Sequence, residues 1–179
     1  MTKELLLTLV LAIFVLLVGL MAVGWFTRRR RQHGIPPLVP VPSEVGDVAA
    51  EFLGFYVSTT LDGQPLNRVA VRGLGFRSRA TIRIAAAGVI VSLPEQDFFI
   101  PVSALREAKR ARYTIDRVVE EGGLALIAWT LSGPAGQDSA VARTVKLDSY
   151  FRVDETQELV NAVAALIPGH VSADEREKA

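Results

Sequence analysis

Five arginines, Arg68, Arg72, Arg77, Arg79 and Arg83, fall within 16 residues that contain no aspartate or glutamate. A guanidinium presents a planar fork of N–H donors that matches the paired oxygens of a phosphate or carboxylate, so facing arginines make an anion site. On an extended segment Arg77, Arg79 and Arg83 share a parity, and hence one face of a sheet. These five residues form the candidate anion- or lipid-binding set. The competing reading is a solvated sheet face, with arginines guarding strand edges against aggregation. A second basic group, Arg106, Lys109, Arg110 and Arg112, is diluted by Glu107.

Other chemistry is poorly supplied. The chain has no cysteine, and its two histidines, His33 and His170, lie outside the stretch expected to fold. Ser-His and Cys-His nucleophiles and most zinc sites are therefore excluded there. Glu120 and Glu121 are sequence neighbours, which on a strand point to opposite faces. They precede Gly122-Gly123 and read as a solvated turn. Gly73-Leu74-Gly75 lacks the rest of a dinucleotide fingerprint and opens no helix. The reading is a protein that is not an enzyme, with no catalytic residue, metal or cofactor. Lys3 and residues 28–31 supply five of the 20 basic groups and Glu4 one of the 19 acidic ones, leaving 15 and 18, a net of −3, in residues 34–179. That balance excludes a general nucleic-acid binder, which needs a positive face to neutralise phosphates.

The elements that would position the arginines begin with an anchor. Residues 5–26 carry no charge. As a helix they extend roughly 33 Å, enough to cross a hydrocarbon core of about 30 Å. A cleaved signal peptide is disfavoured because signal cores run only about 7–15 residues. Four consecutive arginines, Arg28, Arg29, Arg30 and Arg31, follow the apolar run. The flank richer in Lys and Arg stays in the cytoplasm. The expectation is a single-pass plasma-membrane protein, N-terminus outside and C-terminal domain cytoplasmic, with residues 1–33 as anchor and basic stop. The same arginines would lie at the membrane surface and attract anionic headgroups.

Residues 34–46 hold four prolines and read as an extended, semi-rigid linker. From there to residue 169 the pattern is mainly β, with strands expected at 51–61, 68–72, 79–84, 89–93, 97–101, 124–131 and 142–147. Residues 103–112 read as a helical turn or irregular crossover. A C-terminal helix is expected over 154–167, with Asp154 and Gln157 in a capping-box-like pair and Leu159, Val160, Val163, Leu166 and Ile167 on one apolar face. Residues 170–179 are charged and read as a disordered tail. About seven strands suggest a sandwich or a partly open barrel, and the helix would cap its open end.

The segments GFYVSTTLDG (54–63), RVAVRGLGFRSRATI (68–82), IPVSALREAKRAR (100–112) and VEEGGLALIAWTL (119–131) resemble a family of small actinobacterial single-pass membrane proteins carrying a bacterial pleckstrin-homology-like (PH-like) domain. The resemblance implies a PH-like barrel and no defined activity. PH domains that bind phosphoinositides carry basic groups near their first hairpin, with an Arg-x-Arg on the second strand. Arg77-Ser78-Arg79 is similar, although the first strand lacks the accompanying lysine. Three functions follow as expectations. The first is a membrane-tethered, non-catalytic scaffold engaging a protein partner at the inner face of the membrane. The second is an anionic-lipid or phosphate sensor, and the third an accessory subunit of a transport or export complex.

Overall fold

A computed structural model describes residues 3–111, 113–114, 117–118, 123–133 and 144–168. The chain divides into two units, Met1–Gly34 and Ile35–Ala179. The first is a single helix, α1 (Lys3–Arg31), followed by one 3-10 turn, Gln32–Gly34. Residues Lys3–Thr27 are long and apolar enough to cross a membrane, a property shared with N-terminal signal sequences. Two threonine hydroxyls within the helix bond to its own backbone: Thr8 donates to Glu4 O at 2.8 Å and Thr27 to Val23 O at 2.7 Å. Such internal satisfaction is what a lipid environment requires.

The second unit contains β1 (Val48–Leu61), β2 (Gln64–Arg68), β3 (Ser78–Ala85), β4 (Gly88–Ser92), β5 (Asp97–Pro101), β6 (Leu105–Ala111), β7 (Tyr113–Thr114), β8 (Arg117–Val118), β9 (Leu124–Ser132), β10 (Thr144–Val153) and α2 (Thr156–Leu166). Eight strands form one antiparallel sheet, ordered β5-β4-β3-β1-β10-β9-β6, with β2 paired to the end of β1; β7 and β8 form a separate hairpin. Strand β1 is long because it serves both halves: Val48 to Tyr56 pair with β3 and Gly54 to Leu61 with β10. A side chain at Gly54 would meet the backbone of Arg152, so glycine is what lets β10 approach there.

Alternation places Phe52 and Tyr56 of β1, Ile82 and Ile84 of β3, and Ile127 and Trp129 of β9 in one buried core. The ring of Phe98 on β5 stacks on Trp129 of β9 with centroids 6.0 Å apart. These strands lie five places apart in the sheet, which would separate them by about 24 Å if it were flat. The sheet therefore curls on itself into an open barrel. Helix α2 packs on β6, β9 and β10 and buries Leu159, Val160 and Val163 in the same core. The fold is thus mainly β, with a C-terminal helix and a long apolar N-terminal helix.

Several expectations are corrected. Residues 68–72 are not a strand: β2 ends at Arg68, and a bend and turn follow, with Arg72 in the left-handed region at φ 58°. Residues 105–111 are a strand rather than a helical turn. A register shift between Leu105 and Glu107 leaves Arg106 as an extra residue, so Leu105 and Ala108 both face the core and mimic helical spacing. Asp154 caps nothing; Glu155 occupies the N-cap position without a side-chain bond, and Gln157 pairs instead with Asn161. The proline-rich stretch is not a free spacer. Ile35 is buried, Leu38 and Val39 pack on the core, Phe99 N donates to Val39 O at 2.9 Å, and Ala87 N donates to Val45 O at 3.4 Å. Prolines forbid helix but leave carbonyls free to accept from a neighbouring strand. The expected tail, 170–179, lies outside the described residues.

Candidate binding surface

The arginine-bearing loop between β2 and β3 is held from beneath by a buried polar chain. Trp129 Nε1 donates to Ser149 Oγ at 2.9 Å, Ser149 Oγ lies 2.8 Å from Thr59 Oγ1, and Tyr56 Oη lies 2.9 Å from Thr59 Oγ1 and 3.0 Å from Leu74 O. A carbonyl only accepts, so the single phenolic proton goes to Leu74 O. Thr59 then donates to Tyr56 and Ser149 to Thr59, and every proton is used once. Burial raises the Tyr56 pKa, against the Thr59 hydrogen bond and Arg68, so the phenol stays neutral. Leu74 is fully buried, and this anchor fixes the turn from which Phe76 and Arg77 project.

The five sequence-nominated arginines do not act together. Arg68 Nη2 donates to Val57 O at 2.8 Å. Arg72 donates through Nε and Nη2 to Ile35 O at 3.2 and 3.1 Å, and Gln96 Nε2 donates to Arg72 O at 2.6 Å. These bonds hold a left-handed non-glycine residue that would otherwise be unfavourable by about 1–2 kcal/mol. Arg83 Nη2 donates to Ser92 Oγ at 3.1 Å. The remaining pair, Arg77 and Arg79, is exposed. Arg77 lies over the Phe55 ring, 5.0 Å from its centroid, and Arg79 sits directly opposite Phe55 across the β1–β3 ladder.

Phe55 is also paired, on its other side, with Arg152 of β10. Directly opposed residues share a face, so Arg79, Phe55 and Arg152 form a row across three strands. None of Arg77, Arg79 and Arg152 makes an ion pair among the described residues. Leu53, 67% exposed, Phe55, 40%, and Phe76, 76%, stand among them. An open groove of about 640 Å³ crosses this face, lined by Leu53, Phe55, Arg79, Thr81, Leu93 and Pro94. A smaller hollow of about 170 Å³ shares Leu93 and Pro94 with it and extends to Phe76 and Arg77.

Sequence reasoning passed over Leu53, Phe55, Phe76 and Arg152. The signal for the first two is present: in EFLGFYV apolar residues occupy both parities of a strand that has water on one side. Arg152 has no such signal, because only the β1–β10 register brings it beside Phe55.

Two members of the second basic group are paired, and Arg110 is exposed. Arg106 Nη2 pairs with Asp62 Oδ1 at 3.0 Å, and Lys109 with Glu107 Oε2 at 2.8 Å. Nearby, Asp148 accepts from Gly63 N at 3.3 Å; burial, and to a lesser degree Asp62, hold its carboxyl above the usual carboxylate range. Among the described residues no three His, Cys, Asp or Glu side chains gather as a metal site. Arg28, Arg29, Arg30 and Arg31 form the last turn of α1.

A search of curated proteins returned no match. Comparison with protein-family profiles matches residues 35–167 to the family described as Bacterial PH domain-like.

Proposed function

From the premise that this chain belongs to the bacterial PH domain-like family, we propose that it is a membrane-tethered, non-catalytic binding or scaffold module whose domain engages a protein partner at the inner face of the membrane. PH-like domains are generally non-catalytic binding modules. The observation that carries the reading is the β1–β3 face, where exposed Leu53, Phe55 and Phe76 stand among three guanidiniums that make no ion pair among the described residues. Aromatic residues and arginine are the types enriched at protein interfaces and among the residues that dominate their energetics. Helix α1 supplies the tether, and the arginines at 28–31 set the orientation, with the N-terminus outside and the domain in the cytoplasm.

The test is affinity capture of the full-length chain from membranes after crosslinking. A specific partner is expected with the native chain and with Leu66→Ser, which alters an exposed leucine on β2. The partner is expected to disappear with Leu53→Ser combined with Phe55→Ser. Equal recovery from all three would refute this surface as the interface.

A second reading is an anionic-lipid sensor, favoured by the exposed Arg77 and Arg79. In that case Arg77→Ala with Arg79→Ala abolishes the preference of the chain for phosphatidylserine-containing over neutral vesicles. An unchanged preference rules it out.

A further inference from the structure

The row Arg79–Phe55–Arg152 and the groove beside it say more about the partner than that it is a protein. Resting on the module reading above, we propose that this surface takes an extended acidic segment of a partner protein, with carboxylates on either side of an apolar residue. Strands lie about 4.8 Å apart, so the Cα atoms of Arg79 and Arg152 are separated by roughly 10 Å, with Phe55 between them. In an extended peptide, side chains two before and two after a given residue share its face, about 13 Å apart. Flexible arginine side chains span the difference. An acid–x–apolar–x–acid peptide laid across β10, β1 and β3 would meet Arg152 with one carboxylate and Arg79 with the other. Its central side chain would pack on Phe55 and Leu53. The groove continues past Thr81 to Leu93 and Pro94, which gives the peptide a path beyond β3.

Three observations select this occupant. The guanidiniums carry no carboxylate of their own among the described residues, so the negative charge must come from outside. Leu53 and Phe55 line an open groove on the sheet face, which can seat an extended chain along its length. Residues 34–179 carry a net charge of −3, which opposes docking onto an anionic membrane but leaves a local acidic contact favourable. Arg77, 5.0 Å from the Phe55 centroid, adds a third donor and also lines the smaller hollow.

The experiment uses the full chain in neutral-lipid nanodiscs and fluorescence anisotropy with two labelled peptides. One alternates glutamate with small polar residues around a central leucine; the other has every glutamate replaced by glutamine. The acidic peptide is expected to bind saturably and to weaken with salt, with the glutamine peptide about ten-fold weaker or more. Arg79→Ala with Arg152→Ala is expected to reduce acidic-peptide affinity to that of the glutamine peptide. Arg110→Ala, an exposed arginine on β6, is expected to leave it unchanged. Equal affinity for both peptides, indifference to the double substitution, or no binding of the acidic peptide would each overturn the proposal. So would Arg79- and Arg152-dependent sedimentation with phosphatidylserine vesicles in place of peptide binding, which would assign the surface to lipid. A partner captured through Leu53 and Phe55 from a chain that ignores the acidic peptide would leave the module reading standing and overturn this one alone.

Discussion

Replacing Tyr56 by phenylalanine removes one oxygen and strands two groups. Leu74 O loses its donor and Thr59 its acceptor, both in a fully buried setting. Leaving a buried polar group unsatisfied costs about 1–3 kcal/mol. Tyr56→Phe is therefore expected to lower the unfolding free energy by about that amount in a denaturant titration. The loss should concentrate in the turn around Leu74, seen as faster amide exchange at residues 71–77. Asp148 makes a prediction of opposite sign. Its carboxyl is held above its ordinary value of 3.8, chiefly by burial, so the folded state holds the proton more tightly than the unfolded one. Its ionisation opposes folding at neutral pH. That penalty is relieved as pH falls through the folded-state pKa and is gone below the unfolded value. Asp148→Asn keeps an oxygen for Gly63 and is expected to stabilise the protein at pH 7. The advantage over the native chain should vanish on acidification, as a difference of two thermal-melt series would show. The types and clustering of the five arginines were legible in the sequence, but their fates were not. Arg68 and Arg72 are absorbed by carbonyls of Val57 and Ile35, partners 11 and 37 residues away that only the fold brings near.

At the scale of elements, most strands were readable because alternation and turn residues are local signals. The failures share a cause, which is tertiary pairing that changes the local period. The bulge at Arg106 turned a strand into something spaced like a helix. The alternating run at 68–72 gave way to a turn because Tyr56 and Gln96 bond to the carbonyls of Leu74 and Arg72. The prolines of 36–42 hid an extended segment that belongs to the domain. A soluble fragment starting at residue 47 would lose Ile35, the two backbone bonds at Val39 and Val45, and the acceptor that holds Arg72. Burial of one isoleucine contributes about 1.5–3 kcal/mol, and each hydrogen bond about 0.5–1.5 kcal/mol. Relative to a fragment starting at residue 35, the shorter one is expected to be less stable by about 3 kcal/mol or more. Equal denaturation midpoints would show that the segment contributes nothing.

For the whole molecule, that packing puts the start of the domain at Ile35. In sequence, only Gln32–Gly34 lie between the end of α1 and Ile35. The proposed orientation depends on one charge asymmetry, four arginines after the apolar run against Lys3, Glu4 and the amino group before it. If that asymmetry is the cause, reversing it reverses the protein. A phosphatase that is active only outside the cytoplasm, fused after Ala179, is expected to be silent on the native chain. It should become active when Arg28, Arg29, Arg30 and Arg31 are replaced by asparagine while Thr2 and Glu4 become lysine. Activity on the native fusion would place the domain outside and remove the cytoplasmic partner from the reading. The intact mass of the membrane-extracted chain distinguishes an anchor from a cleaved signal, because an anchor retains residues 3–27. A shorter species released from the membrane would leave the PH-like domain without the proposed tether.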